Sequence, residues 1–117
     1  MHRQLLEAAC ELFESGDTSA AVAMFMRAAK LGSLEAQVNL GNAYADGQGV
    51  KVNFNIARHW YKNAAKRGVP QGAFNLAIEY KSRKELRLAR YWFGRALYLG
   101  HEDAKAELRS LENDSEG

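Results

Sequence analysis

One spacing of small, aromatic and glycine residues occurs three times in this chain, and few folds accommodate such a pattern. Ala57, Trp60, Tyr61, Ala64 and Gly68 align without gaps on Ala89, Trp92, Phe93, Ala96 and Gly100. Ala21, Met24, Phe25, Ala28 and Gly32 fall into the same register. Upstream, Ala36, Leu40 and Tyr44 correspond to Gly72, Leu76 and Tyr80, and more loosely to Leu5, Ala9 and Phe13. The apolar positions recur at three- and four-residue intervals, the period of one helix face, so each unit reads as two helices ending at a glycine. A helix pair repeated in this way cannot bury its apolar face alone, and neighbouring pairs complete the core. The expected fold is all-α, a short right-handed α-α superhelix (solenoid) of about seven antiparallel helices. The 117 residues are expected to form one domain: 1–32 a degenerate first repeat, 33–68 the second, 69–100 the third, 101–112 a capping helix and 113–117 a frayed polar tail.

The central unit narrows the pattern. It reads A-x-x-x-L-G-x-x-Y-x-x-G-x-G-V and then A-x-x-W-Y-x-x-A-A-x-x-G, carried by Ala36, Leu40, Gly41, Tyr44, Gly47, Gly49 and Val50, then by Ala57, Trp60, Tyr61, Ala64, Ala65 and Gly68. This resembles the Sel-1-like repeat, a relative of the tetratricopeptide repeat. The resemblance implies a scaffold for protein-protein interaction, with first helices lining a concave surface and second helices forming an outer layer. By register with Gly41, the groove positions are Glu35, Val38, Asn42 and Ala45 in the second repeat and Gln71, Phe74, Ile78 and Lys81 in the third. The first repeat offers Gln4, Glu7, Glu11 and Glu14. Val38, Phe74 and Ile78 would then form an apolar centre that receives an extended segment or helix of a partner, with Asn42 holding a peptide amide. Carboxylates at one end and Lys81 at the other would orient the guest. For Phe74, burial in the core is an equal alternative.

Local punctuation supports the helix boundaries. Asp17, Ser33 and Asn53 are N-cap residues, and Pro70 suits the first turn of a helix. The loop Asp46 to Val50 is rich in glycine, but it lacks a Gly-Lys-Ser/Thr ending and follows a helix where a phosphate cradle follows a strand. Gly47 is read as a left-handed helix terminator and Gly49 as a turn. The third repeat replaces this loop with the short polar turn Ser82 to Glu85.

Several function classes have no support in the sequence. No nucleophile-base pair, metal cluster or cofactor fingerprint is present, so neither an enzyme nor a cofactor is expected. His2, His59 and His101 lack metal-ligand spacing and are read as surface residues. Cys10 is the only cysteine, so it forms no intramolecular disulfide and is assigned to core packing. No apolar window reaches the length of a membrane span and the N-terminus is unlike a signal peptide, so no membrane association and a cytoplasmic location are expected.

Charge is segregated. Residues 49–100 hold eleven Lys and Arg against Glu79 and Glu85, whereas residues 1–48 count three basic against six acidic. The basic stretch is read as a solvated outer face, because no aromatic platform is seen to interleave it, and nucleic-acid binding is the weaker reading. Val22 and Met26 occupy the register of Arg58 and Lys62, which makes these four a possible second surface and the chain a monomer or weak homo-oligomer. The two leading functions are an adaptor that receives a partner segment in its groove and a dedicated inhibitor or immunity protein that neutralises one toxin or enzyme.

Overall fold

A computed structural model describes residues 2–116 of the chain, and the side chains of residues 2–113. Among the described residues the regular structure is helical: α1 (His2–Glu14), α2 (Thr18–Lys30), α3 (Leu34–Asp46), α4 (Phe54–Lys66), α5 (Pro70–Ser82), α6 (Leu86–Tyr98) and α7 (Ala104–Glu116). Within the units α1 packs on α2, α2 on α3, α5 on α6 and α6 on α7. The chain forms two compact units, residues 1–64 and 65–117.

The predicted caps are made. The Asp17 carboxylate accepts from the Ala20 amide, Ser33 Oγ from the Ala36 amide at 3.2 Å, and Asn53 Oδ1 from the Ile56 amide at 3.1 Å. Each satisfies one orphan donor of a first turn, worth about 0.5–2 kcal/mol. Gly47 ends α3 in the left-handed region at φ 72°. Gly49 has a different reason to be glycine: besides its φ of 78°, a Cβ there would run into the carbonyl of Thr18, the first residue of α2. The glycine loop therefore latches onto the start of α2, where Ser19 Oγ donates to the Gly49 carbonyl at 3.4 Å. In the third repeat the turn is closed by Lys84, a non-glycine residue at φ 64°.

The first unit is built on small residues. Ala9 of α1 packs with Ala21, Phe25 and Ala28 of α2 and with Ala36 and Leu40 of α3, so backbones approach closely and few large side chains fill the space. Val22, expected on an exposed surface, is only 5% exposed and belongs to this core, and Met26 is half-buried against it. Both are taken into the cluster that α1, α2 and α3 build around Ala9, Phe25 and Leu40. Arg58 and Lys62, at the corresponding positions of α4, are exposed as expected.

Between α3 and α4 the contact is partly polar. Gln37, 4% exposed, donates to the Ala29 carbonyl at 3.3 Å and accepts from the Asn63 amide at 2.7 Å, tying α3 to α2 and α4 at once. At Gly41 the ring of Tyr61 lies so close that a Cβ would stand 2.6 Å from it. The Tyr61 hydroxyl donates to Asn42 Oδ1. The Gly41 and Tyr61 positions of the repeat are thus one packing device.

In the second unit α6 packs against both α5 and α7. Phe93, Leu76 and Leu111 are fully buried. The helix predicted to end at residue 112 instead runs to Glu116, so the backbone of residues 113–116 is helical where a frayed tail was expected; Gly117 lies outside the described residues. No helix among the described residues is long and apolar enough to cross a membrane.

Candidate interaction clefts

Glu7, Glu11 and Glu14 follow one another at i, i+4 and i+7 along α1, and Glu35 sits in the first turn of α3. These four carboxylates surround a cleft of about 590 Å³ whose apolar lining includes Leu6 and Leu34. A second cleft of about 330 Å³ shares Cys10 and Glu14 with the first and is bordered by Phe13, Asn42 and Asp46. Arg3 and His2 also line this cleft, but none of the four glutamates takes part in the ion pairs seen among the described residues, Lys81–Glu107, Arg83–Glu85 and Lys105–Glu102. The negative potential registers on Cys10: burial pushes its thiol above the usual range, and Glu35 and Glu14 push it further the same way. Cys10 is therefore a protonated, poorly nucleophilic thiol at the junction of two acidic clefts.

The predicted groove residues divide by unit. Glu7, Glu11 and Glu35 line the first cleft, and Asn42 lines the second with its carboxamide oxygen already engaged by Tyr61. Val38 is 8% exposed and buried, because α3 lies between two helices and buries most of its circumference. In the second unit the expected groove centre is spent on internal contacts. The Phe74 ring stacks on the His101 imidazole at 4.1 Å and meets Phe93 edge-on at 5.5 Å. Gln71 Oε1 lies 3.1 Å from His101 Nε2, and the Lys81 ammonium is 2.8 Å from Glu107. Phe74 is thus not an open anchor, Lys81 is not a free cation, and His101 is half-buried in place of the surface position expected. Ile78 is half-buried. His2 and His59 are exposed, and among the described residues no three metal-ligating side chains gather.

One feature escaped the sequence reading. Tyr91 and Tyr98 on α6 are exposed and stand among Arg87, Arg90 and Arg95, so aromatic side chains do interleave the basic stretch. The signal was available, since the seven-residue step from Tyr91 to Tyr98 runs off the face defined by Ala89, Phe93 and Ala96.

Antiparallel helix pairs, side-chain caps on α2, α3 and α4, glycines after most helices and alanines packed between helices within each unit define a helical-repeat protein of the tetratricopeptide-like solenoid class. Solved structures agree. The Yersinia enterocolitica type III secretion translocator chaperone SycD superposes with a TM-score of 0.79 at 21% identity, covering 98% of this chain and 86% of that one. The first tetratricopeptide domain of Spaghetti (RPAP3), bound to the HSP90 peptide SRMEEVD, gives 0.79 at 17% identity over 99% of this chain and 94% of that one. The Sel1 repeat matches residues 12–33, 34–69 and 70–101, and the chain belongs to that family. A Sel1 repeat protein from Oxalobacter formigenes is 28% identical with a TM-score of 0.67, over 77% of this chain and only 39% of that one, so the chain spans well under half the length of this relative. No curated protein matches the chain in sequence.

Proposed function

We propose that the chain is a protein-interaction module that holds a basic segment of a partner protein along α1 and α3. The observation that carries this reading is the excess of carboxylates around an apolar floor: four glutamates against Arg3 in the same lining, none of them in an ion pair among the described residues. Lysine and arginine suit such a surface, because their aliphatic stems cover Leu6 and Leu34 while their charged heads reach the carboxylates. Peptide capture is also how fold neighbours are seen: SycD is known in complex with a peptide of the translocator YopD, and the Spaghetti domain with SRMEEVD. That second peptide is itself acidic, so the cleft here calls for a guest of the opposite sign.

Calorimetry tests the reading with a short synthetic peptide alternating lysine and leucine, and with SRMEEVD as control. The basic peptide should bind, weaken with added salt and lose affinity in the Glu7→Lys, Glu11→Lys double variant. Equal binding of both peptides, or none of either, overturns the proposal. An adaptor and a dedicated inhibitor would both use this cleft. Recovery of several partners sharing a basic motif supports the adaptor, and one stoichiometric enzyme supports the inhibitor.

A further inference from the structure

The outer face of α6 has no cover within its own unit. Leu88, Tyr91 and Tyr98 are 44%, 57% and 80% exposed, Arg87, Arg90 and Arg95 stand among them, and the helix contains no carboxylate. The two phenols are held by neighbours on their own helix: the Arg95 guanidinium lies 5.6 Å from the Tyr98 ring centroid, and Tyr91 meets Trp92 edge-on at 5.2 Å. Gly94 sits in this face between them. Glycine is the poorest helix former after proline, and a Cβ at residue 94 would touch nothing within 4 Å, so the fold itself has no use for it. Gly41, pressed on Tyr61, shows what an internal reason looks like. A bare position flanked by tyrosine and arginine, the residues that dominate binding hot spots, admits the close approach of another chain.

Charge selects the occupant. Carboxylates also gather on residues 101–112, where Glu102 and Glu107 are already paired with Lys105 and Lys81; the acidic surface that is concave and offers apolar side chains is the cleft of Glu7, Glu11, Glu14 and Glu35 with Leu6 and Leu34. We infer that α6 of one copy docks on the α1/α3 cleft of a second copy, a heterologous contact between two different patches. The inference rests on the reading of that cleft as a site for basic surfaces and names one such surface. A basic partner segment would then compete with self-association for the same carboxylates.

Sedimentation velocity on the full chain tests this with two surface variants, Glu7→Lys with Glu11→Lys and Arg87→Glu with Arg90→Glu, each checked for helicity by circular dichroism. The native chain should associate at low salt and dissociate as salt rises, and each variant alone should associate at least about tenfold more weakly. Mixing the two variants should restore association, because one pair of faces is native and the other carries swapped, still complementary charges. A native chain that stays monomeric at low salt overturns the inference, as does undiminished association of the cleft variant or failure of the mixture to recover. Binding of single-stranded oligothymidine that is lost only in the α6 variant would assign the face to nucleic acid instead. If the native chain is monomeric yet binds the lysine-leucine peptide, the cleft reading stands and only the self-docking falls.

Discussion

Two glycines in mid-helix make opposite demands on the same chemistry. At Gly41 an added methyl group would meet the Tyr61 ring at 2.6 Å, and Tyr61 is 2% exposed with its hydroxyl bound to Asn42, so it has little freedom to retreat. Gly41→Ala should therefore lower stability by about 1–3 kcal/mol in urea unfolding. Gly94→Ala adds a methyl to open space and removes a poor helix former, so it should raise stability by up to about 1 kcal/mol in the same experiment while weakening any contact made by α6. Cys10 supplies a pH-dependent observable. Its pKa is raised in the folded state, so the contribution is present below the ordinary thiol range and is lost as pH rises through the folded value. Iodoacetamide should alkylate Cys10 more slowly than free cysteine at mildly alkaline pH, and Glu35→Gln should speed the reaction; a rate equal to that of free cysteine would contradict the environment described. Residue identity alone announced the caps at Asp17, Ser33 and Asn53, because capping needs only a short polar side chain and local backbone. It did not announce Gln37, whose two partners, Ala29 and Asn63, lie eight and twenty-six residues from it in sequence.

Among the elements, α5 shows how a helix assigned to a groove is committed to its own unit. Phe74, Gln71 and Lys81 project along one side of it and are taken up by His101, Phe93 and Glu107. Phe74→Ala should therefore destabilise the fold by about 2–4 kcal/mol, at or below the cost of emptying a fully buried aromatic site. It should leave affinity for a basic peptide unchanged in whatever fraction remains folded. Comparing calorimetry with a urea titration of this variant separates the two effects. Helix boundaries were legible because glycines, caps and the proline punctuate them. The buried circumference was not, since repeat register assumes that corresponding helices have corresponding neighbours. Val22 and Val38 break that assumption, since both are buried in the first unit while the residues in register with them, Arg58 and Phe74, are exposed and half-buried.

For the whole molecule, the repeat register was enough to read an all-helical chain of paired helices, since three aligned sets of alanine, aromatic and glycine positions leave few other solutions. The clefts were only half legible: the glutamates of α1 are plain in sequence, but the concavity they surround arises from how α1 and α3 pack. A basic peptide bound there should shift backbone amide resonances within residues 2–64 and leave those of residues 65–116 unmoved; shifts centred on α5 would relocate the site. The separation of acidic α1 and Glu35 from arginine-rich α6 also has a practical consequence. With a formal net charge of only +2, the protein should nevertheless be retained by both cation- and anion-exchange resins near neutral pH, each resin gripping a different unit, and salt should improve its solubility.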